Sequence, residues 1–199
     1  MLFLLQSSAI ISLRDLQLIA PELIITFAAC VALVMEVILP YKQSKWTAYF
    51  SLGGIALAFV SLGAQFISLG GMNMSSIDGF YGMVRIDGFA IVFRAIFLLA
   101  AALAIAISIR YLDIEREQHG EYYSLVLFAT VGMMFLGAGY DLITLYISLE
   151  LMALTFYVLV AFTKRERRSN EDGMKYFLLG AFSSGILLYG MSIVYGVSG

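Results

Sequence analysis

Six long apolar stretches run through this chain of 199 residues, and they constrain its fold more than any other feature. Each has about 20 residues, the length that an α-helix needs to cross a bilayer core roughly 30 Å thick. Hydrophobic residues make up 61% of the sequence and charged residues 13%, against about 25% charged in a soluble domain. The sequence therefore predicts an all-α, polytopic membrane helix bundle, with residues 1–199 forming a single domain. The six predicted helices cover residues 20–39, 47–69, 87–111, 122–139, 142–162 and 174–196.

The rest of the composition excludes several classes of protein. The formal net charge is −2, and the basic residues form no stripe of the kind that binds nucleic acid. Because Cys30 and His119 are the single cysteine and histidine, the chain can build neither a disulfide framework nor a cysteine or multi-histidine metal site. Residues 1–13 are apolar but lack the basic start and cleavage site of a secretory signal. We interpret them as an interfacial segment or as part of a long first helix.

Basic residues in the connectors predict the orientation of the helices, because cytoplasmic loops carry an excess of lysine and arginine. The loops after the first, third and fifth predicted helices hold most of them, and the opposite side holds Arg14 and Arg85. The N-terminus is therefore predicted outside and these three loops in the cytoplasm. The residues that set this orientation are Lys42, Lys45, Arg110, Arg116, Lys164, Arg165, Arg167 and Arg168.

Glu150 is the one charged residue between Ile143 and Phe162, in the middle of the fifth predicted helix. It lies ~11 Å from one end of that helix and ~18 Å from the other, at 1.5 Å per residue. A carboxylate at that depth costs at least about 2.5–3.5 kcal/mol unless it is paired, hydrated or protonated. We interpret Glu150 as part of a proton path, and the alternative is a structural glutamate bonded to a neighbouring helix. Tyr146 and Tyr157 share its helix face, and we expect them to serve in packing.

Lys175 begins the sixth predicted helix, after the acidic run at residues 171–172. It is either a cation that extends to the cytoplasmic surface or the cytoplasmic entry point of a hydrated proton relay. It cannot be the direct partner of Glu150, because their depths differ by roughly 15 Å. No other residue of the chain is an obvious cation for Glu150.

The remaining intramembrane charges are predicted to be structural. Asp87 and Arg94 lie on one face of the third helix. We expect them either to pair with each other or to contact a neighbouring helix. Glu22 is an acid at a helix start, and Lys42 could neutralise Glu36. Helix contacts through small residues are predicted at Gly132, Gly137, Gly139, the Gly180–Ser184 pair and the Ala181–Gly185 pair.

Three segments resemble a known family. They are Asp87-Gly-Phe-Ala-Ile-Val-Phe-Arg94, Ile147-Ser-Leu-Glu-Leu-Met-Ala-Leu154 and Met174-Lys-Tyr-Phe-Leu-Leu-Gly-Ala-Phe-Ser-Ser-Gly-Ile-Leu-Leu-Tyr-Gly190. They are similar to subunit N of bacterial NADH-quinone oxidoreductase (respiratory complex I), one of its antiporter-like membrane subunits. The fourth and fifth helices look like the opening of the first of two inverted repeats. Because family members carry more helices, the resemblance implies an N-terminal part of a longer subunit or a truncated product.

The resemblance also implies a function. The chain would be a membrane-arm subunit of a proton-pumping translocase in the cell inner membrane, with Glu150 and Lys175 in a proton relay. In the family, the residue matching Glu150 interacts with a lysine on a seventh helix. NADH, flavin, iron–sulfur clusters and quinone are implied in partner subunits, and no cofactor is expected here. A subunit of an Mrp-type cation/proton antiporter and a non-conducting scaffold subunit remain the alternatives.

Overall fold

A computed structural model of the chain describes residues 12–38, 44–71, 76–115, 120–163 and 166–198. The interpretation of residues 1–11 and the predicted roles of Lys42, Arg116, His119, Lys164 and Arg165 lie outside these ranges. A short helix, α1 (Leu13–Leu18), comes first. The longer helices that follow are α2 (Ala20–Ile38), α3 (Ser44–Ser68), α4 (Gly88–Glu115), α5 (Glu121–Ala138), α6 (Leu142–Val160) and α7 (Arg167–Ser198).

The predicted all-α membrane bundle is confirmed. Within the described ranges, six helices, α2 to α7, are long and apolar enough to cross a membrane. Two of them extend well beyond the predicted bounds: α4 continues to Glu115, and α7 begins at Arg167. The added turns carry charged residues: Asp113 and Glu115 in α4, and Arg167, Arg168, Glu171 and Asp172 in α7. Hydropathy detects only the part of a helix that is apolar, so these polar turns were not predicted.

A small β-hairpin between α3 and α4 was not predicted. Strands β1 (Ile77–Gly79) and β2 (Val84–Ile86) pair antiparallel, with Asp78 opposite Arg85. The turn between them is a single 3-10 turn at Phe80–Gly82, in which all three residues have a positive φ. The hairpin also contacts the link between α5 and α6, because Val84 forms an isolated bridge with Gly139.

Helices α2, α3, α4 and α5 form a closed group in which each helix packs against two others in a ring. Ser124 of α5 donates a hydrogen bond to the carbonyl oxygen of Ala29 of α2 at 2.9 Å. The buried core of this group includes Ile25, Ile55 and Leu98. Helix α6 lies outside this ring and packs on α5, and α7 packs on α6.

Two of the predicted small-residue contacts connect α6 to its neighbours. A Cβ on Gly132 would lie 2.8 Å from the backbone nitrogen of Met152, so α5 and α6 approach each other at backbone distance. Gly180 of α7 leaves room for the ring of Tyr157. The predicted contact at Gly185 is not made among the described residues, since nothing lies within 4 Å of a Cβ built there. Of the described residues in α7, Gly173 alone is buried.

Candidate functional site

Glu150 lies near the middle of α6, the helix from Leu142 to Val160. Eight residues of the helix precede it and ten follow it. This places it about 12 Å from one end and about 15 Å from the other. The side chain is half-buried. Its Oε1 atom is buried and has no hydrogen-bond partner among the described residues. A carboxylate in this state is expected to bind a proton, water or a cation.

Helix α7 runs antiparallel to α6, and two contacts set its register. Gly180 lies against Tyr157 towards one end, and Tyr195 donates a hydrogen bond to Asp141 at the other. Interpolating between these contacts places Glu150 level with about residue 187 of α7, which is Leu187. The α7 residues on this face are apolar or hydroxylic, so α7 supplies no cation at the level of Glu150.

Lys175 lies far from Glu150. Its Nζ atom is 2.6 Å from Oε1 of Glu171, and both side chains are more than half exposed. The same register places Lys175 level with about residue 162, just beyond the end of α6 and roughly 18 Å from Glu150 along the helix axis. The structure therefore does not bring the two predicted relay residues together. The role of Lys175 in a relay stays a prediction.

Of the two tyrosines on the face of Glu150, Tyr157 packs against α7, and the packing role of Tyr146 stays a prediction. Tyr157 is buried, and its ring meets Tyr176 and Phe177 of α7 edge-on, with ring centroids 4.9 and 5.7 Å apart. Tyr146 borders an apolar cavity of about 230 Å³ between α6 and α7. The other residues that line this cavity are Leu142, Ile143, Leu188, Met191, Ser192 and Tyr195.

A buried ion pair joins α2 to α4. Nε of Arg94 lies 2.6 Å from Oε1 of Glu22, and both side chains are 0% exposed. The predicted pairing of Arg94 with Asp87 is wrong, and the alternative of a contact to a neighbouring helix is right. Asp87 instead accepts a hydrogen bond from the backbone N–H of Ala90 at 2.8 Å, which caps the start of α4. No local sequence pattern indicates the pair, because its members are distant in sequence and Glu22 looks like an ordinary N-terminal acid.

Glu36 lies at the opposite end of the bundle. Its carboxylate packs against Gly120, where an added Cβ would collide with Oε2 and would lie 3.1 Å from the hydroxyl of Thr47. Glu36 thus faces the starts of α3 and α5. The predicted partner, Lys42, lies outside the described residues, so that pairing remains a prediction.

A second charged cluster sits on the hairpin. Nε and Nη2 of Arg85 donate to the two carboxylate oxygens of Asp78 at 2.6 and 3.1 Å, and the guanidinium lies 3.5 Å from the ring centroid of Tyr140. The hydrogen bonds from Arg85 lower the pKa of Asp78, and those same bonds raise the pKa of Arg85. The hydrogen bond from Tyr195 lowers the pKa of Asp141, with help from backbone N–H groups at the start of α6. Arg85 and Tyr195 therefore hold the α5–α6 link from two sides.

Comparison with known proteins places these features in a family context. The protein-family model described as "NADH:quinone oxidoreductase/Mrp antiporter, TM" matches residues 139–199. NADH-quinone oxidoreductase subunit N 1 of Koribacter versatilis (strain Ellin345) is 46% identical over 193 residues, which is 96% of this chain and 38% of that protein. NADH-quinone oxidoreductase subunit N of Trichlorobacter lovleyi (strain ATCC BAA-1151 / DSM 17278 / SZ) is 45% identical over 185 residues, 93% of this chain and 37% of that protein.

A solved structure agrees with these relatives. One chain of "Respiratory complex I from Thermus thermophilus with bound Aureothin" superposes with a TM-score of 0.68 at 28% sequence identity. The match covers 88% of this chain and 36% of that chain. The chain thus spans less than two fifths of the length of the curated relatives described above.

Proposed function

Because the chain belongs to the subunit N family of NADH-quinone oxidoreductases, we propose that it works in the membrane arm of a proton-pumping complex of that kind. Other subunits would oxidise NADH and reduce quinone, and they would hold the flavin and the iron–sulfur clusters. This chain would bind no redox cofactor and would contribute part of a proton route. The observation that carries the proposal is the buried, unpartnered Oε1 atom of Glu150 near the middle of α6.

The chemistry of Glu150 follows from two opposing effects. Burial favours the neutral, protonated carboxyl group, and a nearby cation favours the ionised carboxylate. Glu150 has no ion pair among the described residues, so a cation that approaches it from outside them would change which form is favoured. Approach of the cation releases the proton and its withdrawal allows another to bind. Quinone reduction would drive that movement.

Lys175 would act at the cytoplasmic entry to this route. Its ammonium group is exposed at the end of α7 that carries Arg167 and Arg168. The roughly 18 Å between its level and that of Glu150 is too long for direct transfer, so water would carry the proton between them. Tyr157 and Tyr176 lie along this interval, between α6 and α7.

We also propose the orientation in the cell inner membrane. The ends of the bundle differ in charge: Lys45, Arg110, Arg167 and Arg168 lie at one end, and Arg14 and Arg85 lie with the hairpin at the other. The positive-inside tendency places the first end in the cytoplasm and the hairpin outside. Reporter fusions at residue 81 and residue 166 of the full-length subunit would test this placement.

The test of the function is Glu150→Gln in the full assembly, with Glu166→Gln as the control. Glu166 is exposed in the connector between α6 and α7. Glutamine keeps the shape of the side chain but cannot carry the proton. We expect proton pumping in membrane vesicles to fall about 10-fold or more. This figure is conservative, because a positioned proton-transfer group typically contributes a factor of about 100 or more to a reaction rate. The control should pump normally.

The outcomes separate the alternatives. Normal pumping by an assembled Glu150→Gln complex would contradict the proposed role of Glu150. Loss of assembly with an unchanged ratio of protons to electrons would favour a scaffold. Purification with antiporter subunits and without flavin or iron–sulfur subunits would favour the Mrp-type alternative, which the matched family model also covers.

A further inference from the structure

The ion pair between Glu22 and Arg94 belongs to a larger polar cluster that the proposed proton route does not use. Gln65, at the end of α3, donates from Nε2 to the carbonyl oxygen of Leu18 at 3.2 Å and also to that of Gln17. Arg94 donates from Nη1 to the same Leu18 oxygen at 3.4 Å. The end of α1 and the helices α2, α3 and α4 therefore meet at one point.

Several atoms of this cluster remain without a hydrogen bond. Nε and Nη2 of Arg94, both carboxylate oxygens of Glu22 and Oε1 of Gln65 are buried and have no hydrogen-bond partner among the described residues. Nε of Arg94 and Oε1 of Glu22 face each other as the ion pair at 2.6 Å. This leaves Nη2 of Arg94 as a donor, and Oε2 of Glu22 and Oε1 of Gln65 as acceptors. Leaving such groups unpaired destabilises the folded state, and more so when they are charged. Something other than the described side chains must therefore satisfy them.

The chemistry of the unpaired atoms identifies the class of ligand. An anion would accept from Arg94 but would be repelled by the carboxylate of Glu22. A metal cation would bind the two oxygens but would be repelled by the guanidinium. Water accepts and donates at once, and a buried water molecule typically makes about three hydrogen bonds. One donor and two acceptors match that capacity.

We propose that Glu22, Gln65 and Arg94 bind one or two internal water molecules at the hairpin end of the bundle. The water completes the hydrogen bonds of an ion pair whose charges already cancel. It reduces the desolvation cost of burying that pair and joins α3 to the contact between α2 and α4. The site is therefore a fixed structural hydration site and not a second proton-binding site.

The first test is a density map of the intact complex at a resolution that shows ordered water. We expect a peak within about 3.2 Å of Nη2 of Arg94 and of at least one of the two acceptor oxygens. A map in which Nη2 donates directly to Oε2 of Glu22, with no peak beside them, would overturn the proposal. This test needs no variant and does not depend on the proton route through Glu150.

The second test compares Gln65→Met with Gln17→Leu. Methionine keeps the length of the Gln65 side chain and removes its acceptor, whereas the Gln17 side chain is exposed and its substitution leaves the cluster intact. We expect the water peak to be lost in Gln65→Met and retained in Gln17→Leu. A peak of unchanged strength in Gln65→Met would overturn the assignment of Gln65 as a ligand of the water.

Discussion

Glu22 and Glu150 are both carboxylates inside the bundle of membrane helices, yet their surroundings are opposite. Glu22 lies at the start of α2 within the closed group of four helices, is 0% exposed and has Arg94 2.6 Å away. Glu150 lies near the middle of α6, outside that group, is half-buried and has no ion pair among the described residues. The first acid has a fixed cation, and the second has none within the part of the chain that the structure describes.

This difference bears on the roles proposed for the two acids. The packing of the closed group holds Arg94 at contact distance from Glu22, which supports the structural role predicted for Glu22. Glu150 has no such fixed cation among the described residues. Burial of a charge inside a membrane protein therefore does not by itself indicate function. The presence or absence of a fixed partner is the more informative property.

The largest expected effect comes from breaking the fixed pair. Arg94→Met leaves Glu22 buried without its cation, and we expect the free energy of unfolding to fall by about 3–5 kcal/mol. Adding Glu22→Gln to the same variant removes the stranded charge and should recover much of that loss. Thermal unfolding of the full-length subunit in detergent would measure both.

The control for this experiment is Arg85→Met, because Arg85 is paired at the protein surface with its side chain 29% exposed. That change should cost far less than Arg94→Met. An equal loss in the single and double variants would mean that the packing volume of Arg94, and not its charge, stabilises the bundle.

A second experiment gives Glu150 the fixed cation that it lacks. Leu187 of α7 lies level with it, so Leu187→Lys would place an ammonium group beside the carboxylate. A permanent cation at this level would take the place of the mobile cation that the proposed proton route requires. We expect proton pumping to fall about 10-fold, as for loss of a proton carrier, while the complex still assembles.

The matched control is Leu179→Lys, since Leu179 is also on α7 and is 72% exposed. Vesicle assays of proton uptake for each electron transferred would compare the two. If both lysines reduce pumping equally, the effect comes from inserting a charge into α7 and not from pairing with Glu150.

The sequence was sufficient to predict the features that depend on local composition. Helices α2, α5 and α6 lie within two residues of their predicted bounds, because an apolar run of membrane-spanning length has few alternatives. Glu150 was identifiable for the same reason, since it is the one charge in such a run. Neither prediction required knowledge of which helices touch.

Features that depend on tertiary contacts could not be predicted. The pairing of Glu22 with Arg94 could be predicted only by knowing that side chains of α2 and α4 meet across the ring of helices. Neither residue lies in a local sequence pattern that indicates this contact. The hairpin has strands of three residues each, too short for a periodic signal. Gly132 and Gly185 look equivalent in sequence, yet only the first lies at a close helix contact among the described residues.

The close contact at Gly132 attaches α6 to the closed group of helices. A methyl group on Gly132 would lie 2.8 Å from the backbone nitrogen of Met152 and 2.9 Å from the carbonyl oxygen of Ser148. Since backbone atoms cannot rotate away, Gly132→Ala should destabilise the subunit by about 1–3 kcal/mol. It should also reduce pumping, because α6 carries Glu150.

Gly185→Ala is the control, because nothing lies within 4 Å of the added carbon. Alanine is also more favourable than glycine within a helix, by about 1 kcal/mol. The free energy of unfolding of this variant should therefore equal or slightly exceed that of the original subunit. Thermal unfolding in detergent would compare the two substitutions. Similar destabilisation by both would show that the full-length subunit covers Gly185 as closely as α6 covers Gly132.

The smallest expected effect concerns the hairpin, where an ion pair is exposed instead of buried. The hydrogen bonds from Arg85 lower the pKa of Asp78, so the stabilisation they give is present above the ordinary carboxyl pKa and is lost as the pH falls through the lowered value. The protection factors of the hairpin amides in hydrogen exchange, corrected for the pH dependence of intrinsic exchange, should therefore fall below about pH 4. Asp78→Asn should exchange faster at neutral pH and lose this pH dependence. Because the Asp78 side chain is 47% exposed, the change should stay local and leave pumping unaltered, in contrast to every change at Glu150.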